Sequence, residues 1–293
     1  MAARSAILVT GGSGQIGGAV ARLAAAQGIE VWSPGRDALD LTSPDSIRAA
    51  VARSPWQSII NCAAYTAVDL AESEPALAHR INAEAPAVIA AECKRYAIPM
   101  IHVSTDYVFD GSKAEAYDEH DAVNPIGVYG RSKQQGEAAI RAADTLHAIV
   151  RTAWVVSAGE NNFLSTMLRL GSERSELSVV GDQIGCPSSA DDIAASLLHI
   201  AQAQHGRSGT WHFVNSGEAS WYALAEHIFA ETARRGLPTP RFTPIASVDY
   251  LTAAARPANS RLSTEKIGRD FNLFPRPWQE AIDAILAERL GRT

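Results

Sequence analysis

The chain is short of the residues that mark several protein classes. Cysteine occurs three times in 293 residues, at Cys62, Cys93 and Cys186. The three are far apart, with no Cys-x-x-Cys pair and no zinc-ligand spacing, which argues against a disulfide scaffold or a structural metal. They read as reduced thiols in a cytosolic protein. No apolar run approaches the roughly 20 residues that span a bilayer. Residues Met1 to Thr10 lack the basic start, long apolar stretch and cleavage site of a secretory signal. A cytoplasmic location is therefore expected. Positive charge is also short: 26 basic against 32 acidic residues leave −6. With no basic cluster, neither a nucleic acid nor a membrane surface is an expected partner. Lysine is scarcer still, found only at Lys94, Lys113, Lys133 and Lys266. A lysine inside a motif therefore carries unusual weight.

What is present is apolar material. Hydrophobic residues make up 46% and charged residues 20%, an ordinary globular balance with enough to bury a core. The length suits one large domain or two modest ones. Short β-branched runs alternate with helical stretches through the first half. Strands are expected at Ala6–Val9, Glu30–Trp32, Ser58–Asn61, Met100–Val103 and Ala148–Val150. Helices are expected over Gln15–Gln27, Pro44–Ser54, Pro75–Tyr96 and Gly127–Ala143. That alternation predicts a doubly wound parallel α/β sheet, Rossmann-like, with ligands outside the carboxyl ends of its strands. Beyond Trp154 the pattern loosens. Helices are expected at Asn162–Leu170, Asp191–Ala203 and Trp278–Leu290, and a strand at Leu177–Val180. The expected organisation is a cofactor domain over 1–155, with 176–216 adding to its sheet, and a smaller substrate domain from 156–175 and 217–293.

Three segments carry chemistry. The first is Thr10-Gly11-Gly12-Ser13-Gly14-Gln15-Ile16-Gly17, between the first strand and first helix. Gly12, Gly14 and Gly17 fit G-x-G-x-x-G, and Gly11, Gly14 and Gly17 fit G-x-x-G-x-x-G equally well. Such a turn brings backbone close to a pyrophosphate, and the helix N-terminus offers free N–H groups to it. The Gly-Lys-Ser/Thr ending of a nucleotide triphosphatase loop is missing. The second segment ends the second strand, Trp32-Ser33-Pro34-Gly35-Arg36-Asp37. Arg36, with no carboxylate before it, favours NADP over NAD, although Asp37 could pair with it instead. Small residues at Ala63 and Ala64 after the third strand would let a cofactor lie close to the sheet.

The third segment is the pair Tyr129 and Lys133, behind the hydroxyls of Ser104 and Thr105. Residues i and i+4 share a helical face, so phenol and ammonium can meet one ligand. A cation beside the phenol is expected to lower its pKa and make it a general acid for a carbonyl oxygen. Thr105, or Ser104, would hold that oxygen.

Together these segments resemble the extended short-chain dehydrogenase/reductases, and within them the dTDP-4-dehydrorhamnose reductases. The matching stretches include Gly11 to Gly17, Asn61 to Asp69, Glu72-Ser73-Glu74-Pro75, Ser104 to Gly111 and Val128-Tyr129-Gly130 with Lys133. They continue with Arg151 to Trp154, Asn161-Asn162-Phe163, Gly181 to Pro187 and Arg256-Pro257-Ala258-Asn259-Ser260. The resemblance implies NADPH- or NADH-dependent reduction of the C4 ketone of a nucleotide sugar, dTDP-4-dehydro-β-L-rhamnose, to dTDP-L-rhamnose. It implies Tyr129 as proton donor, assisted by Lys133 and Thr105. It implies a cofactor site at Gly11, Gly14, Gln15, Ile16, Gly17, Arg36, Asp40, Leu41, Ala63, Ala64, Tyr65, Tyr129 and Lys133. Val68, Thr105, Asp106 and Trp154 would line the sugar pocket, with Arg256 and Asn259 toward the nucleotide. Some members are described with a divalent metal joining two subunits through glutamates. Here the first helix reads Gly17-Gly18-Ala19, and only Asp191 is left as a candidate, so no metal is expected. A homodimer is compatible with the resemblance. Two other readings stay open: a related keto-reductase or epimerase, and a non-catalytic subunit like the regulatory subunits of methionine adenosyltransferase.

Overall fold

The computed structural model describes residues 6–159, 162–203 and 206–291. The first half runs β1 (Ile7–Thr10), α1 (Gln15–Ala26), β2 (Val31–Trp32), α2 (Pro44–Ala52), β3 (Ser58–Asn61), α3 (Val68–Ala71), α4 (Pro75–His79), α5 (Ala85–Tyr96), β4 (Met100–Thr105), α6 (Val128–Ala142) and β5 (His147–Thr152). The second half runs β6 (Val155–Val156), α7 (Phe163–Glu173), β7 (Glu176–Val180), β8 (Ile184–Gly185), β9 (Ser188–Ser189), α8 (Ala190–Ala203), β10 (Gly209–His212), β11 (Ala219–Ser220), α9 (Trp221–Arg234), β12 (Arg241–Ile245), α10 (Glu265–Phe271) and α11 (Trp278–Leu290). No helix among the described residues is long and apolar enough to cross a membrane.

Six strands form one parallel sheet in the order β10-β5-β4-β3-β1-β2. Both faces are covered, which is why the middles of its strands are largely apolar. Ile7, Val9, Ile60 and Val150 pack toward α8 and α1, whereas Leu8, Ile59, Met100 and Ile149 pack toward α2 and α5. The winding reverses between β1 and β3, and a crevice at such a reversal is where ligands bind in these sheets. This is the doubly wound, Rossmann-like architecture the sequence predicts.

A second core gathers Leu164, Met167, Leu177, Leu224, Ile228, Trp278 and Ile282 from α7, β7, α9 and α11. Of the 176–216 segment, β10 joins the large sheet beside β5, but β7 pairs with β12. Its burial explains this: Glu176 and Ser178 are exposed while Leu177 and Val179 are buried. A strand with one wet face does not suit a sheet covered on both sides.

Two local differences from the sequence reading have clear causes. The expected helix over 75–96 contains a π turn at Arg80–Glu84. Pro86 lacks an N–H and its ring crowds the carbonyl four residues earlier, and the wide turn makes room. The fourth strand extends to Thr105, so Ser104 and Thr105 are strand residues on opposite faces. The helix over Trp221–Arg234 was not anticipated, although Ser220 caps it and Leu224, Ala225, Ile228, Phe229 and Thr232 recur at helical spacing.

Candidate active site

The glycine turn sits at the winding reversal. Gly11 has φ +74°, and a Cβ there would come within 2.7 Å of the Ala63 nitrogen after β3. A Cβ on Gly17 would come within 2.2 Å of the Gly11 carbonyl oxygen. Turn, helix and β3 thus meet backbone to backbone, which only glycine permits. Gly14 is the N-cap of α1 and supplies no side-chain cap, and no acidic residue occupies the first turn. The helix therefore presents its first N–H groups and partial positive charge to a ligand. Across the turn, the buried Ser33 hydroxyl has no hydrogen-bond partner and lies where a Cβ on Gly12 would be. A backbone cradle, a bare helix N-terminus and an unpartnered hydroxyl fit a dinucleotide diphosphate.

Tyr129 and Lys133 lie one turn apart near the start of α6. Glu72 accepts the Val128 N–H at 2.8 Å and so caps that helix. Gly130 lets it press on the 106–108 turn, because a Cβ there would come within 2.1 Å of the Tyr107 carbonyl oxygen. The Tyr129 ring meets Tyr107 edge-on at 5.8 Å. Burial, with a smaller push from the Asp106 carboxyl, raises the Tyr129 pKa to about 12 against the opposing influence of the Thr105 hydroxyl. The sequence led us to expect the reverse. Lys133 does not act on the phenol here, because its terminal nitrogen is turned into the floor. There it donates to the Val103 carbonyl at 2.7 Å and meets His102 Nε2 at 3.2 Å. Burial draws its own pKa down to about 8, against the pull of Glu137 and Cys62.

Thr105 accepts from the Tyr107 N–H at 3.1 Å and bonds Asp106 Oδ1 at 2.9 Å. Asp106 is buried, its Oδ2 has no partner, and desolvation raises its pKa to about 7. Ser260 lies beside Asp106 and accepts from the Trp154 indole N–H at 3.1 Å. Trp154 itself has φ +45° and stacks on Trp221 with centroids 3.5 Å apart and planes 1° from parallel. Ser104, on the other face of β4, instead donates to Glu137 at 2.7 Å.

The comparisons with known proteins agree with one another. The family model described as the RmlD substrate binding domain matches residues 5–290. A dTDP-4-dehydrorhamnose reductase of Sinorhizobium fredii is 41% identical over 283 residues, covering 94% of each chain. That of Escherichia coli K12 is 38% identical over 296 residues, covering 98% of this chain and 99% of the relative. The chain belongs to the dTDP-4-dehydrorhamnose reductase family. The solved structure of a dTDP-4-dehydrorhamnose reductase from Bacillus anthracis in complex with NADP superposes at TM-score 0.92 and 32% identity. That match covers 98% of this chain and all of the other. A UDP-glucose 4-epimerase from Thermotoga maritima, at TM-score 0.81 but 18% identity, shares the fold alone.

The structure brings together some of the residues this family pattern singles out and separates others. Ile16 is partly buried against the core beneath the turn. Gln15 accepts from Ser157 at 2.7 Å and Asn162 at 3.1 Å, clasping the turn to the second lobe. A cleft of about 430 Å³ opens beside it, but its lining includes none of Thr105, Tyr129 and Lys133. Ala63, Ala64 and Tyr65 follow β3, and the Tyr65 hydroxyl donates to Glu74 at 2.7 Å. Arg36 is exposed, and among the described residues no ion pair with Asp37 is seen. Asp40 follows β2 and is held locally. Thr42 gives its carboxylate two hydrogen bonds of 2.8 Å, which hold its pKa below the usual value. Leu41 packs on the core under β2. Val68 opens α3, next to Asp69, which binds Arg256 through both carboxylate oxygens at 3.1 and 2.7 Å. Asn259 differs from expectation. Its amide donates to the Lys113 and Glu115 carbonyls at 2.7 Å each, and its oxygen accepts from Arg261. Buried and fully engaged, it fastens the 113–115 loop and has no free group for a nucleotide. Asp191 pairs with Arg22. Asn161 and the Met1–Ser5 extension lie outside the described residues.

Sequence reasoning missed the polar floor. Thr10, Asn61 and His102 are buried beneath Lys133, and Glu137 is clamped by Arg151 at 2.8 and 2.7 Å. Polar residues ending otherwise apolar strands were the available signal.

Proposed function

We propose that this chain reduces the C4 ketone of dTDP-4-dehydro-β-L-rhamnose to dTDP-L-rhamnose with NADPH, accepting NADH as a second choice. The observation that carries this reading is the convergence of Thr105, Tyr129, Lys133 and Asp106 at the carboxyl end of β4. They stand beside a glycine cradle in a chain of this family.

The cradle of Gly11, Gly14, Ile16 and Gly17 would hold the diphosphate. Gln15, Ala63, Ala64, Tyr65 and Leu41 would flank the rest of the dinucleotide, Arg36 would meet its extra phosphate, and Lys133 its ribose. When bound, the cofactor supplies a hydride for the ketone carbon. Tyr129 gives a proton to the ketone oxygen, while the Thr105 hydroxyl holds that oxygen as charge builds. A phenol whose pKa burial raises to about 12 stays protonated at neutral pH and is ready to donate. Asp106, Val68 and Trp154 would orient the sugar. Arg256, now neutralised by Asp69, offers a planar guanidinium to the nucleotide diphosphate.

The same reading divides the chain into a cofactor domain over 1–155 with β10, and a substrate domain from 156–175 and 217–293. The latter's own core supports the division. It has the enzyme working in the cytoplasm as a homodimer, without nucleic-acid or membrane partners. The charge of −6 and the three free cysteines support this setting, and sedimentation velocity tests the dimer.

The deciding experiment supplies purified protein with NADPH and freshly made dTDP-4-dehydro-β-L-rhamnose and identifies the product by NMR. Cofactor oxidation with dTDP-L-rhamnose formed is the expected result. A different deoxysugar would move the chain to a neighbouring reductase or epimerase activity. Nucleotide binding without turnover would favour a regulatory role.

A further inference from the structure

Beneath the active site a line of buried polar side chains crosses the sheet. Thr10, Asn61 and His102 occupy paired positions on β1, β3 and β4. The Ala63 N–H, at the mouth of the crevice, donates to the Thr10 hydroxyl at 3.2 Å. Thr10 donates to Asn61 Oδ1 at 2.5 Å, and Asn61 Nδ2 meets His102 Nδ1 at 2.9 Å. His102 Nε2 then meets Lys133 Nζ at 3.2 Å. Exposure is 2%, 1%, 0% and 1% along the four side chains, so no solvent competes.

Hydrogen bonds in such a line have a direction. Thr10 accepts from the Ala63 N–H and gives its one hydrogen to the Asn61 oxygen. The amide then presents its NH₂ to His102, whose Nδ1 must accept. Burial holds His102 neutral, its pKa well below the usual value. Its single hydrogen therefore sits on Nε2, aimed at Lys133. An ammonium has no lone pair and cannot accept it, but an amine can, with a hydrogen left for the Val103 carbonyl. The other groups facing Lys133 are Cys62, after β3, and Glu137, one turn further along α6. Glu137 is already paired with Arg151 and Arg141.

We propose that His102 is a positioning residue that holds Lys133 as an uncharged amine in the cofactor-free enzyme on the alkaline side of neutrality, and that Lys133 takes a proton from solvent as NADPH binds. This rests on the reductase reading above. Lys133 leaves His102 for the ribose beside an anionic cofactor, and the ammonium becomes the favoured form there. Its pKa of about 8 in the empty site places the effect above about pH 8.

Two measurements test this. Nitrogen-15 NMR of the histidines in the cofactor-free protein should show His102 with its hydrogen on Nε2. With only four lysines to assign, carbon-13 labelling at Cε should show Lys133 titrating well below the other three. Calorimetry of NADPH binding at about pH 9, in buffers of different ionisation enthalpy, should report uptake of about one proton, falling toward zero near pH 6.5. Asn61→Asp reverses the line: the new carboxylate accepts from Nδ1–H, and Nε2 then accepts from an ammonium. That variant should bind NADPH without proton uptake and show His102 with its hydrogen on Nδ1. Hydrogen on Nδ1 in the unaltered protein, or equal proton uptake in both proteins, overturns the inference. Absence of any NADPH binding instead removes the reductase reading, while the NMR still decides the direction of the line.

Discussion

Beneath Tyr129, polar side chains rise from neighbouring strands at matched positions. Asn61 faces Thr10 and His102 because β3 lies between β1 and β4. Across the cleft, Trp154, Ser260, Arg256 and Asn259 come from loops, and each is fixed by a partner far along the chain. Trp154 bonds Ser260, Arg256 bonds Asp69, and Asn259 bonds Lys113. The floor inherits its geometry from backbone hydrogen bonding, and the roof is assembled by side chains. Floor residues should therefore govern chemistry and stability. Roof residues should govern substrate affinity with small cost to either.

Variants can break that division. The largest effect belongs to Tyr129→Phe, which removes the proton donor and should lower kcat about 10²–10⁴-fold. NADPH affinity, read by fluorescence titration, should hardly change. Turnover near normal would remove Tyr129 from the chemistry. Next comes Glu137→Ala, which leaves Arg151 buried without its partner and should cost about 3–5 kcal/mol in urea denaturation. Arg36→Ala tests the cofactor edge: it should weaken NADPH about tenfold while leaving NADH unchanged, in line with one lost charged hydrogen bond of about 1.5 kcal/mol. Equal losses for both cofactors would place Arg36 elsewhere. The smallest effect is expected in the roof. Arg256→Lys keeps the charge but loses the planar fork. It should raise KM for the sugar nucleotide severalfold at constant kcat, and a fall in kcat alone would place Arg256 with the floor.

The same contrast governs what the sequence made legible. Alternating apolar runs and helical spacing fix the doubly wound sheet, and the sheet fixes which loops are active. The glycine turn and the Tyr129–Lys133 pair could therefore be placed on those loops from spacing, which left Thr105 and Ser104 as alternatives. The partner of Lys133 could not, because spacing gives the face of α6 but not which strand side chain lies under it. The role of Asn259 was not legible for a related reason. A motif position says that a residue matters, and an amide can matter equally by binding a ligand or by fastening the 113–115 loop. The π turn at 80–84 depends on how a buried proline is accommodated, which local pattern does not encode.

The stacked pair Trp154 and Trp221 has an optical consequence. Two indoles 3.5 Å apart and parallel to within 1° share their excitation and absorb as one coupled chromophore. One belongs to the loop after β5 and the other begins α9, so the coupling measures the gap between two parts of the chain that no backbone ladder ties together. A sugar that tilts or parts the rings breaks the coupling. Near-ultraviolet circular dichroism would then report that displacement, with the protein's own side chains as the label.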